Sequence, residues 1–164
     1  MKTLVLLRHA KAEDGNAGLP DFDRALNDRG RKEAQAVGTF IRKQNLALEL
    51  VLSSPAQRAR ETAALVLASA DQDVEVRYDQ CIYEAGPLRL LEAVTQIEDE
   101  RSMVLLVGHN PGMEELLQLL TDRVEHMATG ALAKIDLQAA SWSKVLEDKS
   151  SLDWIVKPKE LAEA

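Results

Sequence analysis

Apolar stretches alternate with amphipathic stretches along most of the chain. Two of the apolar stretches, 2–7 and 102–108, are hydrophobic almost throughout, which is typical of strands buried on both faces of a parallel sheet. Two others, 130–137 and 151–158, alternate more between apolar and polar residues, as strands nearer the edge of a sheet do. The remaining predicted strands are 48–54 and 74–78.

Segments with apolar residues at helical spacing separate the predicted strands. Asn27 is a typical N-cap, and the residues that follow it place their apolar side chains on one face. Further helices are predicted over 56–69, with Pro55 at the first turn, after Gly86, and after a cap at Asn110-Pro111. The alternation predicts an α/β fold, a single-domain three-layer sandwich with a mostly parallel central sheet and helices on both faces.

Length, composition and charge are those of one ordinary globular domain. A chain of 164 residues can bury a core without disulfides, and 46% hydrophobic with 29% charged residues is typical of such proteins. We therefore expect residues 1–164 to form a single domain. The formal charge of −7 disfavours nucleic acid as the main partner, although a local cationic pocket can still bind a small anion.

Cysteine usage and the N-terminal sequence indicate a cytoplasmic location. Cys81 is the single cysteine, so the chain has no internal disulfide, as suits a reducing compartment. We expect its thiol to be buried. The N-terminal apolar run is too short for a signal peptide or a membrane span, and we expect no membrane partner.

Basic side chains follow several of the predicted strands directly. Arg8 and His9 follow the first strand, His109 follows the strand 102–108, and Arg58 lies in the first turn of the helix after the second strand. The carboxyl ends of parallel strands meet at one edge of the sheet, so these side chains should converge. Two guanidinium groups and two helix N-termini facing one point describe a site for a dianion such as phosphate. A histidine there is either a hydrogen-bond donor or a nucleophile toward phosphorus.

Three segments carry a family resemblance. LLRHAKA, SSPAQRARETA and VGHNPG occur in that order, and together they resemble the motifs of the histidine phosphatase superfamily. The short chain and the HNPG form look like its SixA-like branch of phosphohistidine phosphatases. The segments RALNDRGRKEAQAVGTFI and TGALAKIDL are similar to the first helix and a late strand of that branch. The resemblance implies a phosphoglycerate mutase-like fold.

The resemblance also implies roles for individual residues. His9 would be the nucleophile that becomes phosphorylated, and Arg8, Arg58 and His109 would bind the phosphoryl oxygens. Arg58 has an alternative partner in Glu61, three residues further along the same helix. Arg60 is expected on the solvated face of that helix.

Two further residues have both a functional and a structural interpretation. Arg24 either reaches the phosphate from the first long loop or is a solvated loop residue. Glu84, in CIYEAGP, is either a proton donor or a solvated residue before a helix.

His126 matches no motif position and is expected to be a surface or structural residue. Ala10 stands where the family usually has glycine, which would let the backbone approach the phosphate freely.

The resulting hypothesis is a metal-independent phosphatase with no cofactor that hydrolyses phosphohistidine on a protein partner, such as a histidine-containing phosphotransfer domain. His9 and His109 have no further metal ligand at a common spacing, and no glycine-rich nucleotide motif is present. One alternative is a phosphatase of small phosphomonoesters. The other is a non-catalytic phosphate-binding module, which the alanine at position 10 keeps open.

Overall fold

A central β-sheet with helices on both faces forms the body of the molecule. The computed structural model describes residues 1–148 and 150–162. Its strands are β1 (Lys2–Arg8), β2 (Leu50–Ser53), β3 (Val76–Tyr78), β4 (Met103–Gly108), β5 (Leu132–Leu137) and β6 (Ser151–Val156). Its α-helices are α1 (Asp28–Lys43), α2 (Gln57–Ala70), α3 (Pro87–Thr95), α4 (Gly112–Thr121) and α5 (Pro158–Ala162). Short 3₁₀ turns lie at Asp21–Asp23, Gln80–Ile82 and Trp142–Lys144.

The strand order in the sheet is β3-β2-β4-β1-β5-β6. The first four strands of that order are parallel, with Leu6 of β1 opposite Leu106 of β4. Strand β5 is antiparallel to β1 and to β6, so the sheet is mixed. Antiparallel neighbours need no crossover helix between them, and in the described part of the segment between β5 and β6 the one helical element is the 3₁₀ turn Trp142–Lys144. The predicted α/β sandwich is confirmed, with four strands parallel.

Side chains of alternate β1 residues enter two separate layers of the core. Leu4 and Leu6 pack on the side that also buries apolar residues of α3 and α4. Val5 and Leu7 pack on the side of α1 and α2. Because a strand points successive side chains to opposite faces, a strand buried on both faces is hydrophobic at nearly every position. This packing explains the continuous apolar run that precedes Arg8.

The ends of the helices agree with the sequence in one case and depart from it in two. Asn27 is the N-cap of α1, and its side chain accepts a hydrogen bond from the Gly30 N–H at 2.8 Å. Pro55 lies outside α2, which begins at Gln57 after Ala56 as N-cap. The N-cap residue of α4 is Pro111, and the Asn110 side chain does not cap the helix, since its Oδ1 accepts no hydrogen bond from the described residues.

Cys81 was expected to be buried, and this prediction is wrong. The residue is exposed in the 3₁₀ turn Gln80–Ile82, where the apolar contact to the core is made by Ile82 instead. Over residues 1–148 and 150–162, no helix is both long and apolar enough to cross a bilayer.

Candidate active site

The carboxyl ends of β1 and β4 bring two histidines together. Arg8 is opposite Gly108 in the parallel register, so the residues that follow each strand lie side by side. The ring centroids of His9 and His109 are 5.0 Å apart. Strand β2 leads into α2, which places the Arg58 Nε 3.4 Å from the His9 Nε2. Arg8, His9, Arg58 and His109 all line one cavity of about 240 Å³.

His9 is buried, and its two ring nitrogens have different environments. The Nδ1 atom lies 2.8 Å from the backbone oxygen of Ala10, which is an acceptor, so Nδ1 carries the proton and donates. The Nε2 atom is therefore unprotonated in the neutral ring, and its lone pair accepts a long hydrogen bond from the Arg58 Nε–H at 3.4 Å. Burial lowers the pKa of His9 to about 3, and positive charge on His109, Arg58 and Arg8 adds to that effect. The ring is neutral and potentially nucleophilic at neutral pH.

His109 is held by a serine at the end of β2. Its Nε2 lies 2.7 Å from the Ser54 hydroxyl, which also accepts a hydrogen bond from the backbone N–H of Ala56. Its Nδ1 atom is buried and has no hydrogen-bond partner among residues 1–148 and 150–162. Burial and the charge of Arg58 lower the pKa of His109 to about 4. The ring is therefore also neutral near pH 7.

Arg8 is anchored through the backbone of a distant loop. Its Nη1 donates to the Met127 carbonyl oxygen at 3.1 Å, and the Asn110 amide donates to the same oxygen at 2.8 Å. The carboxylate of Glu114 accepts from the Met127 N–H at 2.7 Å and from the Asn110 amide at 2.9 Å. Glu114 therefore fixes the loop that holds the Arg8 side chain.

Arg58 pairs with Asp21 from the first long loop. The Arg58 Nη1 donates to the backbone oxygen of Asp21 at 2.8 Å, and Nη2 donates to its Oδ2 at 3.0 Å. The alternative pairing with Glu61 is not formed, because the Glu61 carboxylate accepts from the backbone N–H of Leu26 and from the Gln57 amide.

Arg60 points elsewhere, although it is only two residues from Arg58. It is exposed, its Nε donates to the Pro55 oxygen, and its guanidinium carbon is 3.9 Å from the centre of the Tyr78 ring.

The remaining candidates occupy the rim of the site. Arg24 lines the cavity of the two histidines and donates to Asp21 Oδ1 at 2.9 Å and to the Glu13 oxygen at 2.8 Å. Glu84 is exposed and lines a second cavity of about 410 Å³, which shares Arg58 and His109 with the first. Its backbone is left-handed, with φ of 54°. His126 lies outside both cavities, with a side chain 70% exposed and paired with Glu114.

Ala10 fits the position where glycine is usual in the family. The residue is fully buried, and its N–H donates to the Thr62 hydroxyl at 3.0 Å. In the described chain four non-glycine residues have left-handed backbone, and Ala10 is not among them. Its backbone conformation is therefore one that an alanine adopts without strain. The loop therefore accommodates the additional methyl group of alanine without a left-handed backbone at position 10.

Sequence reasoning missed two residues of the site, Asp21 and Tyr83. The Tyr83 hydroxyl donates to Asp21 Oδ2 at 2.6 Å across 62 residues of sequence, and its ring lies edge-on to those of His109 and Phe22. Asp21 precedes Arg24 by three residues, and that spacing was the one available signal. In residues 1–148 and 150–162 no three histidine, cysteine, aspartate or glutamate side chains cluster closely enough to hold a metal ion.

Comparisons with known proteins agree with this geometry. The model of a family described as the histidine phosphatase superfamily (branch 1) matches residues 4–87. An uncharacterized protein of Mycobacterium tuberculosis is 36% identical over 70% of this chain and 69% of its own length. Two solved structures, from Nakamurella multipartitia and Agrobacterium tumefaciens, are described as a "putative phosphohistidine phosphatase SixA". Each is 29% identical to this chain, and each match covers 96% of this chain. The matches cover 96% and 98% of the two solved chains, with TM-scores of 0.84 and 0.83.

Proposed function

Because the chain belongs to the histidine phosphatase superfamily, we propose that it hydrolyses phosphohistidine on a protein partner through covalent phosphorylation of His9, without a metal ion. The observation that most supports this proposal is the orientation of His9. Its Nδ1 donates to the Ala10 oxygen, and its Nε2 faces Arg58 in the cationic cavity. A neutral imidazole with an unprotonated Nε2, held only by a long hydrogen bond from Arg58, is suited to attack phosphorus beside two guanidinium groups. The solved relatives assigned as SixA support the choice of substrate.

In the first step the His9 Nε2 attacks the phosphorus atom of the substrate. A bond forms between Nε2 and phosphorus while the bond between phosphorus and the leaving nitrogen breaks, and its electron pair stays on that nitrogen. Arg8, Arg58 and His109 surround the phosphoryl oxygens and offset their charge in the transition state. Because these side chains are already in place in the free protein, little reorganisation is needed at the moment of reaction.

In the second step water attacks the phosphorus of phosphorylated His9. A bond forms between the water oxygen and phosphorus while the bond between phosphorus and Nε2 breaks, and its electron pair returns to Nε2. His9 is left neutral with its proton on Nδ1, and the protons of the water leave with inorganic phosphate, which exchanges them with solvent. Splitting one displacement into two steps of this kind lowers each barrier. The same cationic side chains serve both steps, because the phosphoryl group stays in the same cavity.

The leaving group determines whether a proton donor is required. The imidazole of phosphohistidine departs as a neutral ring if its other nitrogen is already protonated, and the free conjugate acid has a pKa of only ~6.5. An alkoxide leaving group needs a proton from an acid. Glu84 lines the second cavity, which His109 also lines, and we assign it this part for phosphate esters. That placement makes small phosphomonoesters the second candidate substrates.

Several observations bear on the partner and on a non-catalytic role. The second cavity, of about 410 Å³, adjoins the phosphate cavity and leaves room for a bulky leaving group. A histidine-containing phosphotransfer domain in the cytoplasm would present such a group. The unstrained backbone of Ala10 speaks against a module that has lost its chemistry. Arg24 at the rim would meet the outer phosphoryl oxygens.

Trapping the phosphorylated enzyme tests this function. The full chain is mixed with a protein phosphorylated on histidine and, separately, with an aryl phosphate, and quenched samples are analysed for acid-labile phosphate on His9. We expect turnover that persists in EDTA, and loss of both turnover and label in His9→Ala with a native circular dichroism spectrum. Arg60→Ala is the control, because the Arg60 side chain is exposed and lies outside the cavity. Label or turnover retained in folded His9→Ala, or activity that depends on added metal, would contradict the proposal.

A further inference from the structure

We infer that Asp21 is a positioning residue that holds the far edge of the Arg58 guanidinium, so that the near edge faces the phosphoryl group on His9. The inference rests on the proposed function of this site for its chemical meaning. The Asp21 carboxylate contacts Arg58, Arg24 and Tyr83. It does not face the place next to His9 where the phosphoryl group would bind.

The three nitrogens of Arg58 divide between two directions. Nη1 and Nη2 donate to the backbone oxygen and to Oδ2 of Asp21. The Nε atom lies 3.4 Å from the His9 Nε2, the atom that would carry phosphorus. A guanidinium group is planar and presents five N–H donors in a fixed fork. Fixing the fork at its far end therefore determines the direction of the Nε–H and leaves further N–H donors for phosphoryl oxygens.

Asp21 is itself held from several sides. Tyr83 donates to its Oδ2 at 2.6 Å, and Arg24 donates to its Oδ1 at 2.9 Å. The hydrogen bond from Tyr83, together with those from Arg24 and Arg58, keeps the pKa of the Asp21 carboxyl well below its usual range. Burial and the Asp21 carboxylate raise the pKa of Tyr83 to about 12. Asp21 therefore stays charged, and Tyr83 stays a donor, across the working pH range.

Arg58 has a competing acceptor if Asp21 is lost. Glu61 lies one helical turn further along α2, at the spacing of an ordinary ion pair. The Arg58 side chain is 6% exposed, and a buried guanidinium seeks another hydrogen-bond acceptor when its partner is removed. Rotation toward Glu61 would turn the Nε–H away from His9. Asp21 prevents this rotation by occupying both terminal nitrogens.

Asp21→Asn tests the inference, with Asp23→Asn as its matched control. Asp23 lies in the same 3₁₀ turn, is exposed and carries the same charge, but the carboxylate that pairs with Arg58 is that of Asp21. We expect Asp21→Asn to lower kcat about 10- to 100-fold, the scale of a misplaced catalytic group, with KM changed by less than about threefold. Tungstate affinity, measured by calorimetry, should fall as well, and Tyr83→Phe should give a smaller loss of both.

The dependence on Arg58 separates positioning from a general loss of structure. In an Arg58→Ala background, adding Asp21→Asn should lower kcat and tungstate affinity by less than about twofold, because the side chain it orients is gone. Equal losses in both backgrounds, or a loss as large in Asp23→Asn, would overturn the inference. If the wild-type chain turns over no phosphorylated substrate, the proposed function fails, while the tungstate measurements still decide the role of Asp21.

Discussion

The two buried histidines should make the stability of the fold depend on pH. Burial lowers the pKa of His9 to about 3 and that of His109 to about 4, below the value of ~6.5 for a histidine in an unfolded chain. As the pH falls below ~6.5, the unfolded chain binds protons that the folded chain does not. The stability that these rings contribute is therefore fully present above that pH and is lost progressively below it.

The size of the effect follows from the pKa values. Down to pH 5 both rings stay neutral in the folded protein. In the unfolded chain each ring binds a proton, and between pH ~6.5 and pH 5 this stabilises the unfolded state by about 2 kcal/mol per histidine. Together His9 and His109 should cost the fold about 4 kcal/mol between pH 8 and pH 5. Domains of this size are stable by roughly 5–15 kcal/mol, so the loss should be large. It corresponds to a fall in Tm on the order of 10 °C.

Urea unfolding at pH 5, 6, 7 and 8, followed by tryptophan fluorescence, measures the free energy of unfolding directly. The range ends at pH 5 because ordinary carboxyl groups titrate near pH ~4. We expect each of His9→Gln and His109→Gln to remove about half of the pH-dependent loss, and the double variant to remove most of it. His126→Gln is the control, because it removes an exposed ring and leaves both buried ones. A wild-type free energy that is flat from pH 8 to pH 5, or a full loss retained in the double variant, would refute the reasoning.

Two further predictions concern the roles of single side chains in turnover. Arg58→Ala should lower kcat/KM for an aryl phosphate far more than Arg60→Ala, because the guanidinium of Arg60 lies over Tyr78 and outside the cavity; equal losses in steady-state kinetics would show that the assignment of Arg58 is wrong. Glu84→Gln should slow hydrolysis of an alkyl phosphate about a hundredfold, as expected for one proton transfer, and that of phosphohistidine only a few fold; equal slowing of both would assign Glu84 another role.

The sequence predicts the body of the fold well because the signals are local. The continuous apolar run of β1 and the cap at Asn27 each depend on a few neighbouring residues, and both are found in the structure. The antiparallel direction of β5 was not predicted, since it depends on how the chain returns to the sheet. The exposure of Cys81 was also missed, because the burial of one residue in a loop depends on which neighbour, here Ile82, enters the core.

The site divides in the same way. His9 and His109 could be placed together because parallel strands end at one edge of the sheet, and the register of Arg8 with Gly108 puts them there. Asp21 could not be placed, because its loop has no periodic pattern and its position depends on contacts with distant residues. The hydroxyl that donates to Asp21 belongs to Tyr83, and two strands and two α-helices separate these residues along the sequence. Interactions of this kind leave no spacing in the sequence.

The positive charge around His9 has two effects on the chemistry of the cavity. A nucleophilic ring must be neutral, and burial beside Arg58 and Arg8 keeps it so. The same charges attract a phosphoryl dianion to a chain whose formal charge is −7, which a local field can do against the net charge. The cost is stability, since a cavity that favours an anion holds its cations partly unpaired, as with the buried Nε of Arg8. Asp21 reduces that cost at Arg58 and at Arg24, and it meets Arg58 at the edge that faces away from His9. The carboxylate can therefore neutralise part of the charge without occupying the place where the phosphoryl group would bind.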